Sequence, residues 1–268
     1  MFSTKRFDQV ERVAEHVLRH ARVHNQLAGD DRYAGGSGDR SCYHGVSDIF
    51  RIPKPAAGFY RSQCDPSEEV VLEPGFFWSS GDHSGAGGPG KVPICSNCDR
   101  LKVYVAGALK KELDPDREHY GNLVHPPFQL DLSDLPLKPW GDLRIEGYLG
   151  GKKVITKTYS GNGVDVALEV RPDDLELEGD GIDATRVVLR IVDEYGEPCQ
   201  FSTGAVSLAI EGPGEIVGEN PFGLVGGIGA VWIKTKEGAG KIRLHAKHQA
   251  LGTKTVEIQV KPSRPETI

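Results

Sequence analysis

Three kinds of side chain in this sequence are spaced for chemistry. His16, His20 and His24 repeat at i, i+4 and i+8, which lines three imidazoles along one face of a helix. An i, i+4 histidine pair can hold zinc, but a catalytic site also needs a third ligand and a glutamate in H-E-x-x-H order. Here the order is Glu15-His16, and Arg12, Arg19 and Arg22 load the same helix with positive charge, which disfavours a cation. These histidines read as polar packing residues. Cys95-Ser-Asn-Cys98 is a lone C-x-x-C with no second pair to complete a zinc site. Asn97 and Asp99 mark a turn between strands, not the helix start that a redox motif wants. The five cysteines are odd in number and irregular in spacing, so no disulfide framework is expected. No metal and no cofactor is expected. Trp78, Trp140 and Trp232 offer flat faces of the kind that stack on a sugar ring. Trp232 sits in Ala230-Val-Trp-Ile-Lys234, a core-like strand, so its burial is expected. Trp78 borders a Gly-rich loop and is the candidate for an exposed face.

The elements that must position these residues fall into three blocks. Residues 8–27 carry Val10, Val13, Ala14, Val17, Leu18 and Ala21 at the helical period, with Asp8 and Glu11 in a capping-box pattern and Gly29 beyond the end. Residues 49–63 predict a short turn, a break at Pro53 and Pro55, and a helix carrying Ala56, Ala57, Phe59 and Tyr60. Residues 1–64 thus form a small helical unit that needs a partner surface. From Glu69 the pattern is β: Val70–Leu72 leading to Phe76–Trp78, then Val92–Cys95, Leu101–Val105, Phe128–Leu132, Leu143–Tyr148 and Lys153–Tyr159. This spacing predicts a β-sandwich over 65–160. Ser160-Gly-Asn-Gly163 is a boundary. Seven strands follow over 164–262: Val164–Val170, Val187–Asp193, Val206–Ile210, Glu215–Val217, Ala230–Lys234, Lys241–His248 and Thr253–Val260. They predict an immunoglobulin-like sandwich, with Lys261–Ile268 as a fraying tail. The expected fold is therefore mainly β: two tandem immunoglobulin-like sandwiches behind a helical segment.

Composition narrows the function. The 268 residues include 34 glycines and 17 prolines, which favours turn-rich β structure. A net charge of −6 argues against nucleic acid or an anionic membrane as partner. No apolar run approaches the ~20 residues that span a bilayer. Met1–Asp8 has no hydrophobic region of the secretory type, and the compartment stays open between cytoplasm and periplasm. No nucleophile elbow accompanies a Ser/His/Asp set, and the glycines of the loop lack the strand-to-helix setting of a phosphate site.

Two stretches carry a family resemblance. Gly45-Val-Ser-Asp-Ile-Phe-Arg-Ile-Pro-Lys-Pro-Ala56, closing on Tyr60-Arg-Ser-Gln63, resembles the end of the catalytic barrel in β-galactosidases of glycoside hydrolase family 2. Ser96-Asn-Cys-Asp99, within Val92–Gly107, resembles the S-N-C-D-x-V-x-L-x-x-N-G motif of the family's first accessory sandwich, with Ala106 in place of the hairpin Asn. Asp193-Glu-Tyr-Gly-Glu-Pro198 and Gly212-Pro-Gly-Glu-Ile-Val-Gly218 are similar to turns of bacterial immunoglobulin-like modules.

The resemblance implies several things. Residues 1–64 correspond to the C-terminal helices of a (β/α)8 barrel. The nucleophile glutamate of the family falls upstream of Met1 and the acid/base glutamate further back, so both carboxylates of a retaining glycosidase are expected to be absent. The eighth barrel strand is expected to be missing between Gly36 and Ser37. Asp39, Arg40 and His44 would line a sugar pocket in a complete enzyme, with Trp78 as a further substrate-binding residue. Asp48 reads as a helix cap or a partner of Arg51. The implied partners are the remainder of the barrel or a homo-oligomer, and β-galactoside sugars. An alternative is a carbohydrate-binding or protein-interaction module.

Overall fold

The computed structural model of the chain describes residues 46–48, 50–78, 90–134 and 140–263. The predicted helix over 8–27 and its histidines lie outside these residues. The described chain is mainly β and divides into two compact units between Asn162 and Gly163.

The first unit opens with helix α1, Pro55–Arg61. Pro55 takes the first helical position, where a missing N–H costs nothing. Seven strands follow among the described residues: β1 Leu72–Pro74, β2 Lys91–Ser96, β3 Arg100–Val105, β4 Ala108–Leu113, β5 Phe128–Asp131, β6 Leu143–Leu149 and β7 Lys152–Tyr159. A short helix, α2 Arg117–Tyr120, links β4 to β5. The strands pair into a three-stranded sheet, β1-β2-β5, and a four-stranded sheet, β4-β3-β6-β7. Both sheets turn apolar side chains into one cluster. Val92, Ile94, Phe128 and Leu130 come from the first sheet, and Leu101, Val103, Leu143 and Ile145 from the second. Strand β3 shows why: its burial alternates along Arg100–Val105, which is the period of a half-buried strand. Phe76–Trp78, expected to continue the β pattern, is irregular, and β1 ends at Pro74.

The second unit carries nine strands among the described residues. The four-stranded sheet has the order β12-β14-β10-β8, made of Gly214–Val217, Ile228–Thr235, Ala184–Val192 and Ala167–Pro172. The five-stranded sheet has the order β13-β11-β15-β16-β9, made of Phe222–Leu224, Gly204–Glu211, Gly240–His248, Gly252–Pro262 and Glu176–Gly179. Its core gathers Val187, Leu189, Val231 and Ile233 from the first sheet with Ile242, Leu244, Ile258 and Val260 from the second. Two strands, β9 and β13, were not expected, and β8 starts at Ala167 rather than Val164. The expected tail is corrected at its start: Lys261 and Pro262 belong to β16, held in parallel register against Glu178 and Gly179.

Candidate functional site

The first unit brings two of the three tryptophans together. The rings of Trp78 and Trp140 stack with centroids 4.3 Å apart and planes 10° from parallel. Both indole N–H groups are spent on backbone: Trp78 Nε1 donates to Gly141 O at 2.8 Å, and Trp140 Nε1 donates to Gly161 O at 2.7 Å. Asp142 accepts the N–H of Gly161 at 2.9 Å. The glycines are required, because a Cβ on Gly161 would lie 2.5 Å from the carbonyl carbon of Gly141. Exposure is the reverse of the expectation. Trp78 is buried at 8% and Trp140 is the open one at 46%. Trp78 is covered because a partner 62 positions along the chain stacks on it, a contact that no local pattern announces.

Trp232 is corrected in the other direction. It is 37% exposed, because Val231 and Ile233 on either side take the inward positions of β14 and leave Trp232 pointing out.

The residues of the S-N-C-D stretch act as a clamp. Ser96 Oγ donates to Val71 O and accepts from Cys98 N. Asn97 Oδ1 accepts from Val71 N at 2.8 Å, and its Nδ2 donates to Glu69 O at 2.7 Å. Cys98 fills the space above Gly147, where a Cβ would sit 2.6 Å from its Sγ. Asp99 accepts the N–H of Gly150 and so caps the β6–β7 hairpin. The Tyr60–Gln63 stretch has a matching role. Gln63 makes a two-point amide contact with the backbone of His125, donating to its O at 2.8 Å and accepting from its N at 3.3 Å. Ser62, 1% exposed, returns its hydroxyl to Phe59 O. Phe59 packs with Ala56, Cys95 and Leu123. Helix α1 is thereby fixed to the β structure of its unit.

Cys95 and Cys98 are both free thiols, but they face different clusters: Cys95 meets Phe59 and Leu123, whereas Cys98 meets the core between the sheets. Burial pushes the Cys95 thiol up to about 12 and raises that of Cys98, so neither offers a thiolate at neutral pH. No group of three or more metal-ligating residues occurs among the described residues. Asp48 caps a loop rather than a helix. Its Oδ1 accepts from Phe50 N and Ile52 N at 2.8 and 2.9 Å, whereas the position before α1 is Lys54. Asp39, Arg40 and His44 lie outside the described residues. A polar group that the sequence reading passed over sits on the outer face of β6. Glu146, 5% exposed, accepts from Tyr148 Oη at 2.7 Å and Lys153 Nζ at 3.3 Å. Burial raises its carboxyl, but these bonds together outweigh it and hold the group below its ordinary value. The same bond raises Tyr148 to about 12.

Residues 168–257 match the family model for the glycoside hydrolase family 2 C-terminal domain 5. A β-galactosidase from Thermoanaerobacterium thermosulfurigenes is 38% identical over 252 residues, covering 85% of this chain and 35% of that protein. A β-galactosidase sequence from Rhizobium radiobacter is 30% identical over 121 residues, covering 45% of this chain and 88% of that sequence. This chain belongs to glycoside hydrolase family 2. It corresponds to the C-terminal part of a β-galactosidase-like protein and spans about a third of the length of the longer curated relatives (35% and 38% of the first two). The fold is shared with a β-glycosidase from Bacteroides vulgatus at a TM-score of 0.67 and 21% identity, over 82% of this chain and 28% of that one. In this family-2 chain the motif residues Gln63, Ser96, Asn97 and Asp99 are hydrogen-bonded to backbone. Their chemistry is that of joints.

Proposed function

We propose that this chain is the non-catalytic accessory portion of a β-galactosidase-like glycoside hydrolase, supporting the barrel or its oligomer. On this reading both units are immunoglobulin-like sandwiches, α1 belongs to the end of the barrel, and neither catalytic glutamate is present in the chain. The supporting observation is the pair of clamps at Gln63 and Asn97, which hold the segment just after α1 to the rest of the first unit. A barrel end anchored in this way is held by polar bonds, one buried and three partly buried, each worth about 1 kcal/mol net. Burial of Phe59 adds about 1.5–3 kcal/mol. Asp39, Arg40 and His44 would border the sugar pocket of a complete enzyme, with Trp78 acting through the ring stacked on it.

The test is turnover. The purified chain is expected to leave nitrophenyl-β-galactoside unhydrolysed, because the nucleophile and the acid/base are both lacking. Hydrolysis above buffer that copurifies with the chain and is lost in Asp39→Ala would overturn the reading.

A further inference from the structure

We propose that Trp140 is a stacking platform for the apolar face of a β-galactopyranose ring, with Trp78 as its backing. The choice of sugar rests on the β-galactosidase-like reading above. The platform itself rests on the geometry.

Trp78 covers one face of Trp140 in a near-parallel stack, yet Trp140 keeps 46% of its surface open. Its only hydrogen-bonding group, the indole N–H, is already used by Gly161 O. The rest of the indole is hydrocarbon and π surface with no polar demand of its own, and one of its two faces is not taken by Trp78. The ring is also fixed before any ligand arrives. The stack holds its plane and the bond to Gly161 holds its edge. A ligand that stacks here therefore has little side-chain entropy to remove.

The electron-rich face of an indole attracts polarised C–H groups. In β-galactopyranose the 4-hydroxyl is axial, so C3–H, C4–H and C5–H are gathered on the opposite face with no hydroxyl among them. In β-glucopyranose the 4-hydroxyl is equatorial and the C–H groups are divided between both faces. An indole with one face covered by Trp78 has one face to offer, and that favours the galacto ring.

Saturation-transfer NMR on the whole chain tests this, with methyl β-galactopyranoside and methyl β-glucopyranoside as probes. Transfer is expected to be strongest at H3, H4 and H5 of the galactoside and weaker for the glucoside. Trp140→Phe keeps a ring and should retain the signal. Trp140→Leu keeps only apolar bulk and should weaken binding by roughly two- to tenfold, the range for one lost aromatic contact. Trp232→Leu removes a different exposed indole and should change nothing. The proposal is overturned by absence of transfer to the galactoside, by equal transfer to both sugars, by equal signals from the Phe and Leu variants, or by loss of signal in Trp232→Leu. The accessory-portion reading fails separately: it falls to turnover by the chain, whatever the binding result.

Discussion

The first unit is joined by side-chain amides that reach far along the chain, whereas the second leans on its strands and carries a short-range clamp, Asn220 on the N–H and C=O of Leu208 at 2.8 and 2.7 Å. In the first, Asn97, Gln63 and Trp78 reach backbone groups 26 to 63 residues away, and the apolar residues split into two clusters. In the second, one cluster runs from β8 to β16, and the β15–β16 ladder alone pairs nine positions. The outer face of its five-stranded sheet is a lattice of ion pairs, Lys241 and Arg243 with Glu257, and Arg243 with Glu211. The difference teaches where stability is concentrated. A ladder spreads its free energy over many similar bonds, so no one residue dominates. A clamp concentrates it in a few buried polar groups, where removal leaves orphaned partners.

The largest expected effect is therefore at Asn97. Asn97→Ala strips the partner from the N–H of buried Val71 and from Glu69 O. It should cost about 2–4 kcal/mol. Amide exchange should quicken over residues 70–72 and 94–98 and stay unchanged over 187–192 and 241–248. Uniform quickening in both units would break the comparison.

Ala106→Asn should act in the opposite direction. The β3–β4 hairpin holds Ala106 at φ +48° and Gly107 at φ +80°, a pair of left-handed residues that Asn-Gly satisfies and Ala-Gly strains. A gain of up to about 1 kcal/mol is expected, read as a higher melting temperature. A lower one would mean that the neighbouring Gly141 leaves no space for the longer side chain.

Glu146 provides a pH test. Its carboxyl is held below the ordinary 4.5, so its contribution is fully present above that value and is lost as pH falls through the lower folded value. Tyr148→Phe removes one of the bonds that lower it and leaves burial unopposed by that hydroxyl. Stability above the ordinary carboxylate value should then be lower, and less of it should be lost on acidification than in the unaltered chain, as followed by urea unfolding between pH 3 and 6, roughly the carboxylate range. Identical profiles would show that the cluster is inert.

Glu257→Gln should have the smallest effect, with no measurable change in the urea midpoint at physiological salt. The carboxylate is exposed, and screened surface pairs add little. A clear shift would show that surface ion pairs, and not only the ladders and the Asn220 clamp, hold the second unit.

Strand content was legible because alternation is local. Lys241–His248 reads as a strand from its own residues, and it is one, extended by Gly240. Short or mostly exposed strands were missed. Ala108–Leu113 is mostly exposed and lysine-bearing, and Glu176–Gly179 pairs in parallel with a strand about 80 residues on. Ala108–Leu113 has no inward apolar alternation, and the alternation of Glu176–Gly179 spans only four residues, so each depends on the hydrogen bonds that a neighbour offers.

The sequence by itself determined the family, the mainly β character and the turn chemistry of Asp193. These depend on residue type and short spacing. Asp193 takes the N–H groups of Tyr195 and Glu197, two and four residues on, as its turn motif requires. Tertiary structure decided which tryptophan is open. Register turned Trp232 outward by a single position in β14, and a stack formed across 62 residues buried Trp78 and left Trp140 exposed. It also made the motif residues Gln63 and Asn97 into joints, because a side-chain amide becomes a clamp only when folding brings a backbone with matching donor and acceptor to within about 3 Å of it.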